Sequence, residues 1–150
     1  MNADVIARLE ESGIQPSAHR VAVAEYILHT DGHPSADEVW AKVGKRLLIS
    51  RATVYNTLNL LADKGLIRAL TLAEGRVVFE PKLARHHHFI DEQSGVIHDV
   101  PWDAVRVSDV EALAPDGYEV REYQVVMRGR RRSPGQAKEA GKEPRAARRR

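Results

Sequence analysis

The chain contains no cysteine in its 150 residues. That absence excludes disulfides, thiolate zinc sites and cysteine nucleophiles together. No apolar run approaches the roughly 18 residues of a membrane span, and the N-terminus reads as polar and helical rather than as a signal peptide. The expectation is a soluble cytoplasmic protein with no membrane partner. No nucleophile–base set and no phosphate-binding loop is visible, so no enzyme is expected. Basic residues are scarce in one region only: residues 83–127 hold 3 Lys/Arg against 9 Asp/Glu.

The formal charge of +2 conceals that segregation. Residues 1–82 balance at 10 basic against 10 acidic, whereas residues 128–150 carry 10 basic and 2 acidic. A neutral front, an acidic middle and a basic end suggest a polyanion partner for the end and cations for the middle. For a charge bias alone, solvated surface is the favoured reading. The length allows one or two small domains with a core that needs no staples. The expected division is 1–82, 83–128 and a disordered basic tail, 129–150, whose Gly, Pro, Lys and Arg leave almost nothing to bury. That tail either touches phosphates non-specifically or merely solubilises the end.

In the front, Val5, Ile6 and Leu9 give a first helix over about 2–12, closed by Ser12-Gly13. Pro16-Ser17 opens a second through His29. Ser35 and Glu38 read as a capping box for a third helix, with Val39, Trp40 and Val43 inward. Pro34 keeps His33 out of helical geometry, on the connection itself. Ser50 is a good N-cap for a fourth helix over 51–63, with Gly65 as its C-cap. Val54, Leu58 and Leu61 follow helical spacing and face the core. At roughly 100° per residue, Ala52, Asn56 and Asn59 point away, flanked by Arg51 and Tyr55. Such a face suits a major groove, where Asn can bond adenine and an aromatic can touch a thymine methyl. The segments I-R-A-L-T-L and R-V-V-F-E around A-E-G read as a hairpin, the wing of a winged helix-turn-helix. A purely structural helical bundle is the plainer reading.

In the middle, R-H-H-H-F-I-D-E, Q-S-G and V-I-H-D-V read as a second hairpin. His86 and His88 share one strand face, about 7 Å apart, and His87 takes the other. Asp99 on the partner strand and Glu80 upstream supply oxygen donors. Nitrogen and carboxylate donors suit Fe(II), Mn(II) or Zn(II) rather than Cu(I). Val105 to Leu113 is expected as a helix, and Y-E-V-R-E-Y-Q-V-V-M as a strand with an exposed edge.

The stretches G-I-Q-P-S-A-H-R, H-P-S-A-D-E-V and S-R-A-T-V-Y-N-T-L-N-L-L-A-D-K-G-L-I, followed by H-x-H, resemble the ferric uptake regulator family of metal-dependent repressors. The similarity runs from about residue 5 to 128. It implies an α+β protein: an N-terminal winged helix-turn-helix domain, then a small α/β dimerisation domain with an antiparallel sheet. It implies a homodimer on a palindromic double-stranded operator, with the helix 51–63 reading DNA and Tyr55 contacting bases. Candidate DNA contacts are Ser50, Arg51, Thr53, Tyr55, Asn56 and Asn59. His33, Glu80, His86, His88 and Asp99 match the family's five regulatory ligands, so one divalent ion per subunit is implied: Fe(II) or Mn(II), with Zn(II) a third candidate. The ion would clamp the two domains into the DNA-binding form.

The chain departs from the family pattern in several places. The structural zinc motifs fall on Asp91/Ser94 and Arg130/Ser133, none of them cysteine, so no structural zinc held by four thiolates is expected. Arg106 and Glu122 stand where an accessory site usually has a carboxylate and a histidine. Gln15 and Asn56 stand where basic residues are frequent. His87 and His98 read as surface or as support behind the ligands. The signal is read first as iron or manganese availability, because Glu80 replaces the aspartate typical of the peroxide-sensing branch. Peroxide sensing by Fe(II)-dependent histidine oxidation is the alternative. A metal-dependent hydrolase, and a DNA-binding protein whose metal site no longer acts, are further alternatives.

Overall fold

The computed structural model describes residues 2–135. The backbone separates into two compact units that divide between Arg85 and His86. Residues 136–150, most of the expected tail, lie outside the described residues.

The first unit begins with α1 (Ala3–Glu11), capped by the Asn2 side chain on the Asp4 N–H, and α2 (Ala18–Leu28), capped by Ser17. The third helix, α3 (Ala36–Val39), opens on the expected capping box: the Glu38 carboxylate accepts from the Ser35 N–H at 2.7 Å, and Ser35 Oγ from the Glu38 N–H at 3.3 Å. It widens into a π-helical turn over Trp40–Gly44. A Cβ on Gly44 would collide with Trp40 Cδ1, so glycine is what lets the indole fold back there. The indole N–H donates to the Ile49 carbonyl at 2.9 Å, and the Ile49 N–H to the Gly44 carbonyl at 2.8 Å. Between these ties Leu48 takes a left-handed backbone, φ 55°, which costs a non-glycine residue about 1 kcal/mol.

The fourth helix, α4 (Arg51–Asp63), starts where Ser50 Oγ accepts from the Thr53 N–H and ends at Gly65, φ 73°. Val54, Leu58 and Leu61 are fully buried, as their spacing requires, with Val5, Leu9, Val23, Ala24, Ile27, Val39 and Phe79 completing one core. The wing is β1 (Arg68–Thr71) against β2 (Val77–Glu80), antiparallel, with Arg68 opposite Glu80. The first unit is thus a winged helix-turn-helix. Its β2 is also tied to the connection before α3: the Phe79 N–H donates to the Pro34 carbonyl at 2.9 Å, and Ser35 bridges Val78.

The second unit is a three-stranded mixed sheet, ordered β4-β3-β5. β3 (His86–Asp91) pairs antiparallel with β4 (Ile97–Pro101), and parallel with β5 (Val126–Gly129). The sheet is therefore not wholly antiparallel. The helix expected over Val105–Leu113 is also absent: two short 3₁₀ turns, Trp102–Ala104 and Val110–Leu113, stand in that region, with Asp109 left-handed between them. Leu113 is 73% exposed, so nothing buries an apolar face that would hold a helix. β5 is four residues rather than ten, and it runs through Gly129, the first residue of the expected tail. The Gly129 backbone lies against the Phe89 ring, where a Cβ would meet Cζ at 2.8 Å.

Candidate metal centre and nucleic-acid interface

Two groupings of imidazole and carboxylate arise, one in each unit. In the first, the backbone ties from Pro34 and Ser35 to β2 place the preceding residue, His33, beside the following one, Glu80. His33 Nε2 and Glu80 Oε2 are 2.8 Å apart, with both side chains almost wholly buried. Burying a carboxylate is costly unless it faces a cation or donor. In the second unit the strand register does the placing. His88 lies opposite Asp99, and His86 shares its face two residues earlier. The two Nε2 atoms come to 3.0 Å, and Asp99 Oδ1 lies 3.4 Å from His86 Nε2 and 3.8 Å from His88 Nε2. Ring nitrogens and a carboxylate oxygen converging at such distances form a donor set for a borderline or hard divalent ion.

Three neighbours are not legible as partners in the sequence. The Gln124 amide sits on His88 Nδ1, behind the face that meets His86. The Val125 N–H donates to His87 Nδ1 at 3.1 Å. Trp102 stacks on His87 with ring centroids 4.5 Å apart. His87 is therefore not a surface residue: it is fully buried, while His98 is exposed beside Phe89. Gln124 falls in the segment expected as a strand and Trp102 in a short 3₁₀ turn, and neither position tells which histidine its side chain meets.

Where cysteine would stand, Asp91 and Ser94 make a hydrogen-bonded turn. Ser94 Oγ donates to Asp91 Oδ2 at 2.7 Å, and the Gln93 N–H to Oδ1 at 2.9 Å. These donors, Ser94 first, hold the Asp91 carboxyl below its usual range. Arg106 is exposed and lines a recess of about 500 Å³ with Trp102 and Tyr123.

On α4, Arg51, Tyr55 and Asn56 are exposed, and Asn59 is half-buried. Ser50 and Thr53 are engaged in the cap, their hydroxyls 2.8 Å apart. Arg51 is held across the helix start, 2.5 Å from Asp37 and with its guanidinium 4.3 Å above the Trp40 ring. Asn56 and Thr53 line a cleft of about 420 Å³ with Gln15, His19 and Arg20 at the start of α2.

Residues 11–128 match the model of the ferric uptake regulator family. The peroxide operon regulator of Bacillus subtilis (strain 168) is 31% identical over 129 residues, covering 84% of this chain and 88% of that protein. The peroxide-responsive repressor PerR of Staphylococcus aureus (strain Mu50) is 33% identical over 110 residues, 73% of each. The Vibrio cholerae ferric uptake regulator shares the fold with a TM-score of 0.68 at 24% identity, over 83% of this chain and 98% of that one. The ferric uptake regulator of Francisella tularensis, solved with iron, gives 0.65 at 26% identity, over 79% and 92%.

Proposed function

Because the chain belongs to the ferric uptake regulator family of metal-dependent transcriptional regulators, which are not enzymes, we propose that it is a homodimeric cytoplasmic repressor that binds a palindromic operator when one Fe(II) or Mn(II) ion per subunit is held. The observation that carries this reading is the pair of imidazole–carboxylate groupings, His33 with Glu80 and His86 with His88 and Asp99. The donor set fits the ion: nitrogen and oxygen only, with the imidazoles buried and facing carboxylates. His33, Glu80, His86, His88 and Asp99 are the proposed ligands, two from the first unit and three from the second. Ligand energy gained only when both groupings meet one ion shifts the population toward the DNA-binding form. Arg51, Tyr55, Asn56 and Asn59 are the proposed reading residues, with Ser50 and Thr53 fixing the helix start. A two-fold dimer matches a palindrome in symmetry.

The proposed signal is peroxide. Its support is that the similar proteins from B. subtilis and S. aureus are named for peroxide response. Fe(II) held by the proposed ligands would supply the one-electron chemistry that reduces peroxide. In a chain without cysteine, His33, His86 and His88 are the oxidisable ligands. Glu80 favours a second reading, metal availability, because its extra methylene alters the carboxylate's approach.

The test loads anaerobic protein with Fe(II), adds low peroxide, and follows DNA binding and peptide masses. A single-oxygen gain on His33, His86 or His88, with loss of DNA binding and no change in the Mn(II) form, is expected. Unmodified histidines, with DNA binding set by metal concentration alone, would replace peroxide by availability as the signal. DNA binding indifferent to chelator would refute both.

A further inference from the structure

The turn before α4 carries a feature that the core does not need. Leu48 is 92% exposed and sits in the left-handed region, φ 55°. A leucine there is disfavoured by its backbone, because a positive φ is uncommon for a bulky side chain. The conformation persists because the chain is tied on both sides of Leu48: the Leu47 N–H on the Val43 carbonyl, and Ile49 through its N–H on the Gly44 carbonyl and its carbonyl on the Trp40 indole. Ile49 is buried, so the anchor is firm while its neighbour projects outward. Over-determined strain of this kind concentrates where a surface is built to meet a ligand.

The charge around the turn says which ligand. Between Glu38 and Asp63 the chain carries Lys42, Lys45, Arg46 and Arg51 and no carboxylate. Lys45 and Arg46 are exposed on the turn itself. Of the two acids just before that span, Asp37 is paired with Arg51 and Glu38 with the Ser35 N–H. Leu48 stands two residues before the N-cap of α4, the end of a recognition helix that approaches base edges. An apolar side chain in a basic surround at that place fits one component of the major groove, the C5-methyl of thymine.

We propose that Leu48 is a preformed apolar finger that reads a thymine methyl at the edge of the operator half-site, with Lys45 and Arg46 on the adjoining phosphates. This rests on the DNA-binding reading above and adds to it a specificity residue outside α4. The strain is present in the free protein, so the finger is positioned before DNA arrives.

The experiment uses the full chain loaded with Mn(II) and a duplex selected from a random-sequence pool by the wild-type protein. Leu48→Asn places a residue that tolerates the left-handed region, so its unfolding midpoint should equal or exceed the wild-type value. Its affinity for the duplex should fall about tenfold, the effect of one well-buried apolar contact. Replacing the half-site thymines singly by uracil, which lacks only the methyl, should reproduce that loss at one position, and there Leu48→Asn should cost nothing further. Equal affinity of Leu48→Asn and wild type would overturn the proposal, as would a loss of the same size on every uracil duplex. A wild-type protein that selects no duplex at all would instead remove the DNA-binding reading, and this inference with it.

Discussion

At the scale of single residues, the donor set is governed by what holds each imidazole in place. His88 has one ring nitrogen toward His86 and Asp99 and the other against the Gln124 amide. The amide nitrogen is the atom placed nearest Nδ1; a half-turn of the amide puts its oxygen on Nδ1–H instead, which leaves Nε2 as a lone pair for an ion and keeps the ring from swivelling away. Gln124→Leu should therefore weaken Mn(II) binding about 10-fold to 100-fold, the range for losing a partner behind a ligand, with the metal-free protein's secondary structure unchanged. Calorimetric titration with Mn(II) measures it, and an unaltered affinity would make Gln124 a bystander. Of the five proposed ligands, strand period alone puts His86 and His88 on one face, whereas His33, Glu80 and Asp99 join the set through the resemblance to the family. The position of His33 is legible because Pro34 keeps it on a connection. That of Gln124 is not, since it falls in a segment read as a strand that the structure leaves irregular until Val126. His87 reads as surface or as support behind the ligands, because Trp102, which covers it, comes from a short 3₁₀ turn further along the chain.

At the scale of elements, the helices of the first unit can be read closely because caps and apolar spacing agree at each. Ser17, Ser35 and Ser50 each accept the backbone N–H three residues on, and Val54, Leu58 and Leu61 reach the core together. The second unit is less legible. Alternation predicts a strand over 118–127, yet the Val125 N–H goes to His87 Nδ1 instead of to a neighbouring strand, so the ladder is diverted until Val126. The long connection from β4 then permits parallel pairing, which hairpin reasoning does not anticipate. The π-helical turn is equally hidden, because Gly44 looks like an ordinary helix end. Its role gives a prediction. Gly44→Ala drives a Cβ into the Trp40 ring and should release the indole N–H from Ile49. The expected cost is about 1–3 kcal/mol, the range for overpacking. Urea unfolding of metal-free protein checks it, together with a red-shifted tryptophan emission as the indole loosens. A stability within error of wild type would show that the turn adapts without strain.

At the scale of the whole molecule, the proposed reading residues and the bulk of the positive charge lie in different stretches. Through Gly135 the chain contains the winged helix, the mixed sheet and every proposed ligand. Beyond it, residues 136–150 add Lys138, Lys142, Arg145, Arg148, Arg149 and Arg150 against Glu139 and Glu143. Cutting before Gly129 would remove the end of β5, whose carbonyl accepts the Glu92 N–H at 2.8 Å, and would confuse folding with charge. Truncation after Gly135 avoids that. Phosphate contacts made by this stretch release counterions, and each contributes about 0.9 to the slope of log affinity against log salt. The truncated protein should therefore bind a selected duplex more weakly at low salt, with a shallower salt dependence and the same sequence preference. Such contacts position a protein on DNA without reading bases, so the ranking of operator variants should not change. Fluorescence anisotropy at several salt concentrations, on the selected duplex and on a scrambled one, separates the outcomes. A parallel salt slope for full-length and truncated protein would mean that the basic end makes no phosphate contact and serves solubility alone.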